Sequence, residues 1–334
     1  MAVALAMNVE RRALGSSDLT ISPVGLGTWA IGGGDWMLGW GPQDVRDSIA
    51  TIRRAVEAGI KWIETAAVFG LGHAETVIAR ALRGVPHRDR PYVFTRCGLV
   101  WDDLGNVSHD LSPASIRAQA DASLRRLQTD AIDLFQIGWP SWPLERRADD
   151  GRTVDLAWET LAALQQEGKV REIGIAGCLG PGLARIHRAA PVTSLSAPYS
   201  LLRREVEKHA LPFCSANDIG FLACSTLASG LLSGTMTEKR LRSLPCNDWR
   251  QRHPFFNEIV LHTGQRHARL YIDQLQRIAN RYGRTPAQIA IAGVLHHPQV
   301  TAAIVGARKP WQVDEAVAAG ECVLTRDDVA ELIA

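Results

Sequence analysis

Short runs of apolar and β-branched residues alternate along the chain with longer segments whose apolar positions recur at helical spacing. The short runs are Val24–Trp29, Trp62–Ala66, Tyr92–Cys97, Ile132–Ile137, Ile173–Ala176, Ser194–Tyr199, Phe221–Ser225 and Ala302–Val305. Each reads as a strand. Between them lie helical patterns. Asp44–Ala58 carries Ile49, Ile52 and Val56 on one face. Ser112–Leu127 opens with a serine cap and Pro113 at the first helical position. Asp155–Glu167 stops at Gly168, and Pro286–Leu295 and Pro310–Ala319 both start at proline. Strands alternating with helices in this way predict a parallel sheet closed into a (β/α)8 barrel, one domain over residues 1–334. Arg11–Ser22, with Gly15-Ser16-Ser17-Asp18 at its turn, reads as a hairpin capping the barrel floor. Residues 234–265 form the longest irregular stretch and read as a lid.

Composition changes this picture little. A length of 334 residues suits two domains or one barrel, and the unbroken alternation favours the barrel. A net charge of +2 gives no reason to expect nucleic acid or an anionic membrane as partner, which leaves a small molecule. Oligomeric state is not legible. No two of the six cysteines form a CxxC pair, so reduced thiols of a cytoplasmic protein are expected. The opening MAVALAM is too short for a signal core, and no run is long and apolar enough for a membrane span. No His/Cys/carboxylate grouping has metal spacing, and there is no GxGxxG, Walker loop or GxSxG.

In a (β/α)8 barrel the working face lies at the C-terminal ends of the strands. Read there, the chain resembles an aldo-keto reductase from Leu14 to about Ala318. GLGTWAIGG at 25–33 is similar to that family's first strand. ASLRRLQTDAIDLFQIGWP at 122–140 resembles its fourth helix–strand unit. GKVREIGIAG, PYSLLRREVE, LASGLLSG and AAIVGARKPWQVDEA follow in the family's order. The resemblance implies the barrel fold and NADPH-dependent carbonyl reduction by an Asp, Tyr, Lys and His tetrad. The matching positions here are Glu64, Phe69, Arg96 and Gly138. Phe69 has no hydroxyl to donate a proton, and Gly138 leaves a space where a histidine would orient the carbonyl. Arginine, unlike lysine, is not tuned to release a proton. Glu64 and Arg96 keep opposite charges. They read either as a structural ion pair or as a working pair, with Arg96 binding an anion and Glu64 acting as base.

The resemblance also divides the cofactor site. The family's nicotinamide-binding positions fall on Ala176-Gly177 and Ser196, while Tyr199 sits where a ring would stack on nicotinamide. Ser225, Leu227, Ser229 and Gly230 match a pyrophosphate loop. Arg308 matches a 2′-phosphate ligand and Gln312 an adenine contact, with Glu315 beside them. An NADP(H) site with a kept ADP half and a weakened nicotinamide grip is therefore implied.

Other residues carry weaker signals. Trp29, Trp36, Trp40, Trp101 and Trp139 fall at strand ends or in loops at the working face and are expected to line a pocket. His73 opens a helix, with Glu75 as its expected cap. Asp102 and Asp103 read as a solvated loop, and His109 and Asp110 as surface. Cys178 and Cys224 lie near strand ends without a neighbouring base. The resulting expectation is an aldo-keto-reductase-like enzyme without an ordinary carbonyl-reductase tetrad, doing non-redox acid/base chemistry in biosynthesis: dehydration, cyclisation or isomerisation. Two alternatives are an atypical NADPH-dependent reductase of an iminium, alkene or carbonyl, and a non-catalytic NADP(H)-binding subunit.

Overall fold

The computed structural model describes residues 10–138, 152–177, 181–252, 256 and 265–333. Trp139 and Cys178 lie outside the described residues, as does part of the 234–265 stretch. The strands are β1 (Arg12–Ala13), β2 (Thr20–Ile21), β3 (Val24–Gly27), β4 (Trp62–Glu64), β5 (Tyr92–Cys97), β6 (Leu99–Trp101), β7 (Val107–His109), β8 (Ile132–Gly138), β9 (Val170–Ala176), β10 (Ser194–Pro198), β11 (Gly220–Cys224) and β12 (Ala302–Gly306). Eight of them close into a barrel in the order β10-β11-β12-β3-β4-β5-β8-β9. Every expected strand is present. The first ends at Gly27, because the chain then tightens into a 3-10 turn over Trp29–Gly32.

The start signals act as expected. The Ser112 side chain accepts a hydrogen bond from the Ser115 amide ahead of the helix Pro113–Leu127. Thr285 and Gln288 form a reciprocal capping box at Pro286–Leu295. The helix expected from Asp155 begins earlier, at Arg152. The antiparallel pair β6–β7 was not legible as a hairpin. Among the described residues, no helix is long and apolar enough to cross a membrane.

The barrel has two kinds of core. Outward strand residues pack against the helices, as Leu195, Ala197 and Phe221 do. Inward residues Trp62, Phe94, Leu134, Leu222 and Ile304 meet Leu14, Leu19 and Ile21 from β1–β2 and seal the floor. The floor is tight. A Cβ on Gly25 would lie 2.2 Å from the Trp62 ring, so glycine is needed there. Burying such large apolar groups contributes roughly 1.5–3 kcal/mol each.

Candidate active site

Side chains alternate across a strand, so the residue two positions beyond each floor residue points into the barrel mouth. Glu64 follows Trp62, Arg96 follows Phe94, Gln136 follows Leu134, and Cys224 follows Leu222. The same alternation turns Gly27, Gly138 and Gly306 inward at the top of β3, β8 and β12. A Cβ at Gly306 would meet only the Gly27 carbonyl, at 3.9 Å, and one at Gly138 only the Cys97 carbonyl, at 3.1 Å. The mouth is thus open at Gly306, closed by the Ile304 side chain at Gly27, and polar at its base.

Arg96 and Glu64 form an ion pair there, Nη2 donating to Oε1. Arg96 is the accessible member, its side chain 25% exposed against 3% for Glu64. Burial pushes the Glu64 carboxyl above the ordinary carboxylate range, and the charge and hydrogen bond of Arg96 offset only part of that shift. The Arg96 guanidinium also lies 5.3 Å from the centroid of the Phe69 ring. Phe69 is stacked on Trp29 at 6.0 Å, and Trp29 on Trp249 at 5.3 Å. One continuous column therefore runs from the arginine to the segment 249–252. Trp36 tilts against Phe69, and Trp40 meets Trp29 edge-on. Phe69 lacks a hydroxyl, yet it holds the arginine through its face.

Several expected site residues are placed elsewhere. Tyr199 does not face the mouth. Pro198 takes the inward position, so Tyr199 turns to the helices, 5% exposed. Its hydroxyl donates to Glu207 at 2.7 Å, and its ring meets Phe221 and His297 edge-on. The expectation that it stacks on nicotinamide is corrected by that alternation. Trp101 meets no other tryptophan ring among the described residues, and its ring lies 5.9 Å from the Arg126 guanidinium. Glu75 is no cap. It is buried and accepts from Thr95 at 2.7 Å and Arg126 at 2.6 Å. Asp102 does stay in a solvated turn, accepting from the amides of Leu104 and Asn106. His109 is half-buried rather than on the surface, and burial lowers its pKa.

The residues matched to an ADP half hold the protein together. Arg308 donates to Gln43 Oε1 at 2.7 Å, to the Trp40 carbonyl at 3.2 Å and to the Pro42 carbonyl. Gln312 Oε1 accepts from the amides of Arg308 and Lys309 and so caps its own helix. Glu315 accepts from the Thr285 hydroxyl at 2.6 Å. The loop after β11 is strained as a phosphate cradle would be: Ser225, Ala228, Ser229 and Gly230 all have positive φ. Leu227 lies half-buried within it.

Sequence reasoning missed the second layer. Arg250 is buried, bonded to Asp248 through Nε and Nη2, and stacked 4.5 Å over Trp40. Its Nη1 donates to the Ser229 carbonyl at 3.1 Å. Trp249, Asp248 and Arg250 carried no motif, and only tertiary contact brings them to Trp29 and Trp40. Gln136 and Ser196 were legible from strand alternation alone, since both share the parity of floor residues. Among the described residues, no group of His, Cys, Asp and Glu is placed to hold a metal.

Comparison with known proteins fits this geometry. The model of the Aldo/keto reductase family matches residues 23–334. The chain is 33% identical over 312 residues to Aldo-keto reductase YhdN of Bacillus subtilis, covering 92% of this chain and 87% of that protein. It is 34% identical over 318 residues to the NADH-specific methylglyoxal reductase of Escherichia coli, covering 92% of each. Among solved structures, the glycerol dehydrogenase AKR11B4 from Gluconobacter oxydans superposes with a TM-score of 0.82 at 32% identity, over 98% of this chain and 96% of that one. With its closed barrel, its residues 23–334 matched and relatives of this identity along nearly its full length, the chain belongs to the aldo/keto reductase family.

Proposed function

We propose that this chain is an enzyme acting on a small carbonyl compound in the barrel mouth, by proton transfer through Arg96 and Glu64 without net redox change. The observation that carries the reading is the pair itself: an accessible arginine held from behind by a buried carboxylate and from the side by Phe69, beneath the open wall at Gly138. Arg96 donates hydrogen bonds to the carbonyl oxygen and stabilises the enolate that develops there. Glu64 spends Oε1 on Arg96, and its carboxylate is the base that takes the proton next to the carbonyl. A carboxyl raised by burial is a stronger base at neutral pH than an ordinary one. Enolisation of this kind is the shared first step of isomerisation, dehydration and cyclisation.

The test is deuterium exchange next to the carbonyl. Dihydroxyacetone, followed by proton NMR in deuterated buffer without nucleotide, is expected to exchange faster with the protein than with buffer. Arg96→Met is expected to cut the rate by about 10²–10³. Arg96→Lys, which keeps the charge, separates that loss from misfolding. The rate in the native protein should rise with pH, with a midpoint above the ordinary glutamate value of ~4.3, because the base works only when deprotonated. An exchange rate indifferent to both Arg96→Met and Glu64→Gln removes the proposal.

A second reading, nicotinamide-dependent reduction, is favoured by the reductase names of the relatives. The chain's residues fit it in part. The positive-φ loop Ser225–Gly230 suits a pyrophosphate. Arg308, Gln312 and Glu315 have hydrogen-bond partners within the protein, so a 2′-phosphate would have to compete with these. Consumption of NADH or NADPH together with the carbonyl, and no exchange in its absence, would select this reading.

A further inference from the structure

Among the described residues, Cys224 is a thiol at the mouth that neither reading uses. Alternation from Leu222 turns it inward at the end of β11, where it is half-buried. Its thiol lies within electrostatic reach of both Arg96 and Glu64. The hydroxyls of Ser196 and Ser225 lie beside the sulfur on neighbouring elements. Ser196 is 1% exposed, and beyond the neighbouring thiol its Oγ has no hydrogen-bond partner among the described residues. The Nε of Arg96 has no partner among them. Buried donors of this kind are nearly always satisfied, so a hydroxyl and a guanidinium N–H left over in one bowl point to an acceptor oxygen arriving from outside. A thiol, a hydroxyl and an arginine around one opening are the parts needed to add sulfur to a carbonyl and hold the oxygen that results.

We propose that Cys224 captures a small aldehyde in the barrel mouth as a reversible hemithioacetal. The sulfur–carbon bond forms as the carbonyl π bond opens, and that electron pair moves to oxygen. The thiol proton passes to the same oxygen through the Ser196 hydroxyl, and Arg96 Nε–H donates to that oxygen. Nothing is oxidised or reduced, and loss of the aldehyde reverses each step. Burial pushes the thiol's pKa up, with Arg96 opposing, so at neutral pH the group waits as a thiol and capture quickens as pH rises. This inference rests on the mouth being the substrate site.

The test uses the full chain, propanal as the probe, and timed alkylation by iodoacetamide read at each cysteine by peptide mass spectrometry. Propanal is expected to slow alkylation of Cys224 saturably, by at least fivefold, while the exposed Cys246 labels at an unchanged rate. Ser196→Ala should weaken the protection without altering the melting temperature. Labelling of Cys224 that ignores propanal, or protection shared equally by Cys246, overturns the capture. The readout needs no turnover, so the two proposals fail separately. Unprotected Cys224 in a chain whose exchange still depends on Arg96 removes only the capture. Protected Cys224 in a chain whose exchange ignores Arg96 removes only the proposed reaction.

Discussion

At the residue scale, the inward glycines of the barrel do opposite jobs, and substitution separates them. Gly25 exists to clear the Trp62 ring, 2.2 Å from where a Cβ would sit. Gly25→Ala is expected to destabilise by about 3 kcal/mol, at the upper end for an overpacked core, in a urea titration. Gly306→Ala places its methyl 3.9 Å from the nearest atom and should leave the midpoint within a few tenths of a kcal/mol. Gly138→Ala meets the Cys97 carbonyl at 3.1 Å and narrows the mouth, so it should slow carbonyl exchange more than it lowers stability. The placement of the candidate residues was largely legible at this scale. Glu64, Arg96 and Gly138 fall at strand ends, and strand alternation is a property of the local chain. Phe69 was legible only as a missing hydroxyl. Its part as the aromatic face under Arg96 depends on a contact across the barrel rim.

At the element scale, the loop after the first barrel strand is held by a clamp that no motif announces. Arg308 reaches the carbonyls of Trp40 and Pro42 and the amide oxygen of Gln43, and the Gln43 amide nitrogen donates back to the Arg308 carbonyl. Lys309 pairs with Asp47 on the next helix. The basic pair that suggests a phosphate grip in sequence is thus occupied in the fold. Arg308→Ala is expected to raise hydrogen exchange over residues 39–43 severalfold. Titrations of the native chain with NADPH and NADH should then differ by less than ~10-fold, since the arginine matched to a 2′-phosphate already spends its N–H groups on the chain. Asp248 and Arg250 clamp the far side in the same way. Removing one member of such a buried pair costs about 3–5 kcal/mol, so Arg250→Met should unfold this rim well before the barrel.

At the scale of the whole molecule, acid stability follows from how the carboxylates are held. Burial pushes Glu207 up, but hydrogen bonds from Arg204 and Tyr199 outweigh it and leave its pKa depressed. The unfolded chain then binds more protons than the folded one between the two values. Stability from Glu207 is therefore present above the ordinary carboxylate range and lost as pH falls through the folded value. Glu64 and Asp133 are raised by burial and act in the opposite sense, losing stability as pH rises through their folded values. Glu207→Gln should lie below the native protein in urea midpoint at pH 7, and the two curves should converge toward pH 3.

What the sequence determined by itself was whatever depends on neighbours along the chain: the strand runs, the serine and threonine caps, the glycine stops, and which strand residues share a face. Those local rules carried the barrel and set Glu64 and Arg96 at its mouth. Tertiary structure alone decided which candidates meet. Tyr199 went to the helix layer because Pro198 took the inward place. Arg308 became a clamp because residues 40–43 lie across it, and Trp249 joined Trp29 from a segment more than two hundred residues away. Contacts at such separations form only when the barrel closes, so no spacing in the chain encodes them.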